Sequence, residues 1–130
     1  MATLTAALPF EGAGRISAKA VSAFIHEVLR LTGVPEKHLA QGIGIAESQL
    51  NRMASLKSGT VKAVTVQPLR RVAVLLEEAS QALSEKGVRH WLATPNAYLN
   101  DVPPILCLRS DRELDRVLAV LASIRYGFPA

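Results

Sequence analysis

Apolar residues recur at helical spacing along most of this chain, and polar turn-formers separate the runs. Val21, Phe24, Ile25, Val28 and Leu29 share one face of a helix that Ser17 caps and Gly33 stops. Pro35 suits the first turn of a short second helix, PEKHLAQG, and a glycine turn leads to a third from about Glu47 to Leu56. The β-branched stretch KSGTVKAVTV predicts an irregular link or a short extended piece. Pro68 opens a fourth helix, in which Leu69, Val72, Ala73, Leu76, Ala79 and Leu83 keep the 3.6-residue period to about Lys86 and Gly87.

A short helical piece from Val88 to Leu92 ends at Thr94-Pro95-Asn96, where Thr94 suits a cap and Pro95 a first helical residue. Asn100, Asp101, Pro103 and Pro104 form a second break, a rigid and poorly helical elbow to which Trp91 supplies an anchor. The last helix carries the clearest start signal. SDRE is a capping box, with Ser110 as N-cap and Glu113 three residues on. Leu114, Val117, Leu118, Leu121 and Ile124 form its stripe, and Gly127 stops it. No strand pattern of any length competes, so the expected class is all-α, a helical bundle. Residues 1–16 read as a flexible N-terminal arm, 17–86 as a helical region and 87–130 as a C-terminal helical region.

The second and third helices have helix-turn-helix spacing. Leu39-Ala40 lets the partner helix cross closely, Ile45 plugs the turn, and Leu50 points inward. Ser48, Gln49, Asn51 and Arg52 are then exposed on the third helix, with Lys57 beyond it. Gln and Asn can read adenine edges, Arg guanine, and Ser can hold phosphate. Glu47, at the front of that helix, opposes a phosphate contact. An αα-hairpin inside a helical core is the alternative.

Composition narrows this picture only a little. Hydrophobic residues make up 49% of the 130 and aromatic ones 5%, which favours small-residue helix packing over an aromatic-rich sandwich. The formal charge of +4 is uneven: seven Lys and Arg against four Asp and Glu in residues 1–65, then eight against seven. That tilt suits a nucleic-acid face in the first half. The lone Cys107, in the apolar run ILCL, reads as a buried thiol and suits a reducing compartment. The N-terminus lacks the basic start of a signal peptide, and no 18-residue apolar span occurs, so a cytoplasmic location without membrane contact is expected.

Catalytic chemistry finds no constellation. His26, His38 and His90 have no Cys, Asp or Glu partners at metal-ligand spacing. Glu77 and Glu78 are adjacent on a helix and diverge by about 100°. Gly42-Ile43-Gly44 lacks the third glycine and the preceding strand of a dinucleotide fingerprint. A non-enzymatic protein without a metal or other cofactor is expected.

The segment HWLATPNAYLNDVPPILCL, the acidic cap and VLAVLASIRYG together resemble the antitoxins of the Xre/MbcA/ParS type. Their pattern is roughly W-L-x-x-P-N-x-x-L, then prolines among apolar residues, then a helix ending in an aliphatic residue, an aromatic and glycine. Trp91, Leu92, Pro95, Asn96, Leu99, Pro104, Leu106, Val117, Leu121, Ile124, Tyr126 and Gly127 fit it. LAQGIGIAESQLNRM and LRRVAVLLEEASQAL match an Xre-like helix-turn-helix and its following helix more loosely. The third helix departs from the family in being less basic, and Arg112-Glu113 stand where a glycine often follows the acidic cap.

The resemblance implies an antitoxin of a type II toxin–antitoxin module, with residues 17–86 the Xre-like region and 87–130 the toxin-binding region. Its partner would be a cognate toxin of RES type, which destroys NAD⁺ or transfers ADP-ribose to a protein, and the antitoxin would cover or enter that cleft. Trp91, Asn96, Leu99, Pro104, Arg125, Tyr126, Gly127 and Phe128 are the expected toxin-binding residues. Arg125 would pair with a catalytic carboxylate, and Tyr126 or Phe128 would stack where a base sits; a solvated helix end and simple core closure are the alternatives. Dimerisation and repression of its own operon through Ser48, Gln49, Asn51, Arg52 and Lys57 would accompany this. A dimeric Xre-like transcription regulator without a toxin partner, or a sequestering module that has lost DNA binding, would carry the same helices.

Overall fold

The computed structural model describes residues 14–127. Six α-helices account for most of them: α1 Ala18–Thr32, α2 Glu36–Ile43, α3 Glu47–Ala54, α4 Ala63–Ala82, α5 Glu85–Ala93 and α6 Asp111–Tyr126. The all-α bundle expected from the apolar period is the observed class. Val21, Phe24, Ile25 and Val28 of α1, Leu39 and Ile43 of α2, and Leu50 of α3 meet Leu69, Val72, Leu75 and Leu76 of α4 in one core. Each such side chain, fully buried, contributes roughly 1.5–3 kcal/mol of apolar transfer. α4 and α6 pack lengthwise, α1 lies on α3 and α5, and α2 touches α3 and α4.

The punctuation of α1 is as read. Ser17 accepts a hydrogen bond from the Ala20 amide, and Gly33 takes the left-handed conformation (φ 68°) that closes the helix onto Leu29. Pro35 precedes α2 as its N-cap and does not enter its first turn. Gly44, at φ 80°, ends α2, and Gly44 to Ala46 form a three-residue turn into α3. α3 stops at Ala54, two residues short of the expected end. Its last carbonyl, that of Ala54, accepts from the Ser22 hydroxyl (2.6 Å) and lies 2.9 Å from His26 Nε2, so α1 caps it.

A two-stranded antiparallel ribbon departs from the sequence reading. β1 (Arg15–Ser17) pairs with β2 (Thr60–Lys62), Arg15 standing opposite Lys62, Ile16 opposite Val61 and Ser17 opposite Thr60. The last two residues of the expected arm therefore belong to the fold, with Ile16 buried, while residues 1–13 lie outside the described residues. Three-residue strands carry too few alternations to show a period, and this pairing spans about a third of the chain. The short extended piece expected near KSGTVKAVTV is β2.

The ribbon also moves the start of α4. β2 delivers the chain directly to Ala63, and Ala63 and Val66 are buried there, so the helix begins before Pro68 and contains it. The proline ring removes a single bond, to the Val64 carbonyl, and Val64 lies at an exposed edge. α4 ends at Ala82 and not near Gly87. Leu83 is extended, and Ser84 caps α5 by accepting from the Gly87 amide (3.1 Å). Gly87, read as a stop, is thus part of the next helix's first turn.

Candidate functional site

Two surfaces emerge from this scaffold, one at the C-terminal elbow and helix, the other along α3. At the elbow, Thr94 closes α5 and does not open a helix at Pro95. Asn96 caps instead, its side chain accepting from the Tyr98 amide (2.9 Å) to start a single 3-10 turn over Ala97–Leu99. Asn96 then bridges to Val102, which forces Asn100 and Asp101 to positive φ, a conformation Asn and Asp tolerate better than most residues. A second 3-10 turn covers Pro104–Leu106.

The elbow is fixed to the bundle by backbone contacts. Gly42 of α2 lies directly under it, so that a Cβ there would collide with the Ile105 carbonyl group. The Leu108 amide donates to the Gly42 carbonyl (2.9 Å). Arg71 of α4, its side chain 14% exposed, donates to the carbonyls of both Leu108 and Ile43 and so ties α2 to the elbow. Trp91 is half-buried against the core, as an anchor should be, although its indole N–H has no acceptor among the described residues. Leu99 and Pro104 are buried, so they shape this region from within; Asn96 is half-buried at its cap.

α6 then runs outward from the elbow. Ser110 accepts from the Glu113 amide (3.1 Å), as its spacing indicates, while the Glu113 carboxylate reaches back one residue further than a capping box requires, to the Arg109 amide (2.8 Å). The Arg109 guanidinium, hydrogen-bonded at 3.0 Å, holds the Glu113 carboxyl below the usual carboxylate range. Its stabilisation is complete above about pH 4.3, the ordinary glutamate value, and disappears as the pH falls through the lower folded value. Glu113→Gln is expected to cost less than about 1 kcal/mol at pH 7 and to flatten the acid decline of Tm; an unchanged melting profile against pH would exclude this role.

The far end of α6 leaves Ile124 and Tyr126 exposed, at 44% and 59%. Beside them lies a cleft of about 170 Å³, lined by Val74, Glu78, Leu118, Leu121, Arg125 and Tyr126. Arg125 donates to Gln81 (2.8 Å), sits 3.9 Å from the Glu78 carboxylate and stacks over the Tyr126 ring at 5.1 Å. In the free chain, then, the guanidinium expected to meet a partner's carboxylate is held by α4. Gly127 closes the helix at φ 73°, and Phe128 lies outside the described residues. Val74, Glu78 and Gln81 were missed as part of this surface, because nothing local shows which face of α4 meets α6.

On α3, Ser48, Asn51 and Arg52 are exposed and Gln49 is half-buried, with Lys57 exposed beyond the helix. Ser48, Gln49 and Arg52 line a groove of about 530 Å³ whose opposite wall is the ribbon, through Arg15, Thr60 and Lys62. Asn51 and Lys57 stand outside it. Among the described residues no group of His, Cys, Asp and Glu could hold a metal ion, and no helix is long and apolar enough to cross a membrane. Cys107 is half-buried, and burial pushes its thiol pKa up.

The helical scaffold thus offers two shallow, exposed surfaces. Residues 83–127 match the family model of the antitoxin Xre/MbcA/ParS C-terminal toxin-binding domain, the family that the sequence resembles. A chain in the crystal structure of the M. tuberculosis MbcT–MbcA toxin–antitoxin complex has a similar fold, with a TM-score of 0.60 at 18% identity over 84% of this chain and 96% of that one. Among curated proteins no sequence matches.

Proposed function

We propose that this chain neutralises a RES-type, NAD⁺-using toxin by laying its C-terminal region over or into the toxin's active-site cleft. The observation that carries this reading is the exposed end of α6, where Ile124 and Tyr126 project from a segment that matches a toxin-binding domain. Tyrosine and arginine at the tip of a helix fixed by a rigid elbow are the residue types that dominate binding energy in protein interfaces. Arg125 would leave Gln81 and Glu78 for a carboxylate of the toxin, exchanging one exposed partner for another. The chain works in the cytoplasm as a homodimer and also represses its own operon, the exposed face of α3 entering the major groove through Ser48, Gln49, Asn51 and Arg52, with Lys57 on the backbone.

The test is co-expression with the adjacent reading frame, a pull-down and a growth assay. A neighbour that is toxic alone and silent in a tight complex supports the reading. A harmless neighbour, or one that does not bind, overturns it and favours a DNA-binding regulator without a toxin partner, for which the cationic groove beside α3 already speaks.

A further inference from the structure

The groove between α3 and the ribbon is lined by Arg15, Arg52 and Lys62, by Ser48, Gln49, Thr60 and Thr65, by four apolar residues and, among the described residues, by no carboxylate. Arg15 and Lys62 are direct cross-strand partners in the antiparallel pair. Like charges at that position destabilise a ribbon, and among the described residues no acidic side chain relieves them: neither residue forms an ion pair there, nor do Arg52 and Lys57. Six cations elsewhere, Arg30, Arg70, Arg71, Arg89, Arg109 and Arg125, each have an acid within reach. Ile16 is buried and Val61 half-buried beneath, so alternation turns Arg15 and Lys62, with Ser17 and Thr60, to the outer face. Arg15 is further oriented by its bonds to the Thr60 hydroxyl (2.6 Å) and carbonyl (3.1 Å).

We infer that the ribbon is a second nucleic-acid contact, a phosphate clamp in which Arg15 and Lys62 grip the backbone of the duplex that α3 reads. This rests on the proposal that α3 binds DNA and adds to it a surface outside the helix-turn-helix. An anionic backbone supplies what the like-charged pair lacks, and the hydroxyls of Ser48, Thr60 and Thr65 are further phosphate donors on the groove walls. Glu47, in the first turn of α3, does not line the groove, so its repulsion falls on one side of the bound strand.

The clamp predicts a sequence-independent contribution to affinity. Fluorescence anisotropy over a series of KCl concentrations, with a labelled duplex of the chain's own upstream region and an unrelated duplex of equal length, separates the possibilities. Lys62 is exposed and makes no side-chain cap for α4, so Lys62→Ala should fold normally, which circular dichroism and a thermal melt verify. Lys62→Ala is expected to weaken both duplexes by the same factor and to reduce the slope of log K against log salt by about 0.9 for each bound chain. Lys62→Glu should weaken both further. Arg52→Ala should weaken the upstream duplex more than the unrelated one. If Arg52→Ala weakens binding while both Lys62 variants keep the wild-type slope, the clamp is wrong and the α3 reading stands. If the wild-type chain binds neither duplex, both fail together. Loss of toxin capture in Lys62→Glu with DNA binding intact would also overturn the clamp.

Discussion

Gly42→Ala is expected to unfold much of this protein's stability from a single methyl group. A Cβ at position 42 would meet the Ile105 carbonyl far inside contact distance and lie 3.0 Å from its carbon, and both atoms belong to backbone, which cannot swing aside as a side chain can. Either α2 or the elbow has to move. If the elbow lifts, the Leu108 amide loses the Gly42 carbonyl, and Arg71 loses at least one of the two carbonyls it bridges. Overpacking and unpaired buried groups together give a cost of at least about 3 kcal/mol, or roughly 10 °C in Tm. Gly87→Ala is the control. Gly87 has an ordinary helical conformation, and its nearest neighbours are side-chain atoms of Ser84 and Leu83 at 3.3–3.4 Å, so that variant should melt close to wild type. Equal melting of the two variants would mean that the elbow does not rest on α2 in solution.

That contact also shows where sequence reading ends. The helices were legible because their cues are local: a stripe at 3.6-residue spacing, Ser17 and Ser110 as caps, Gly33, Gly44 and Gly127 as stops. Gly42 carried no such cue. In sequence it is a helix-weakening residue beside a glycine turn, and its reason for being glycine lies more than sixty positions away in the elbow. Arg71 likewise reads as one cation of an LRR run, whereas its partners come from α2 and from the chain beyond Cys107. The pairing of the ribbon was invisible for the same cause, since Arg15 meets Thr60 at a separation of 45 residues. Ser84 could have been found: a serine followed at once by an acidic residue, Glu85, is a helix-start signal, but Gly87 behind it reads as a terminator.

The candidate sites divide along the same line. Helical phase alone identified Ser48, Asn51 and Arg52 as exposed on α3. The cationic wall facing them was not legible, because it comes from strands too short to show alternation. At the other surface, the resemblance pointed to Trp91, Leu99 and Pro104 together with Arg125 and Tyr126, yet these residues do different work. The first three are half or fully inside and set the angle at which α6 leaves the elbow; the last two are exposed at its tip. A pattern marks positions that the fold needs and positions that a partner needs in the same way, and only burial separates them.

Ending the chain after Ile124 is expected to abolish toxin capture and leave the fold intact. The residues of α6 that reach the core are Leu114, Val117, Val120 and Leu121, all before the cut. What the truncation removes from the described structure is exposed: Arg125 with its surface partners Gln81 and Glu78, Tyr126 over which it stacks, and Gly127. An exposed pair of this kind contributes under about 1 kcal/mol, so Tm should fall by only a few degrees in a chain of this size. Binding should behave otherwise. If Tyr126 and the tail are the anchors of the interface, their loss weakens capture by about 100-fold or more, the scale of one or two aromatic hot spots. Tyr126→Ala in the full-length chain should reproduce much of that loss. Gln81→Ala, which removes one of the two α4 partners of Arg125, should leave capture unchanged or tighten it. Truncated protein that melts normally and still binds toxin tightly would place the interface elsewhere, on the face formed by α5 and the elbow, and would reduce Arg125 and Tyr126 to a lid on the α4–α6 cleft.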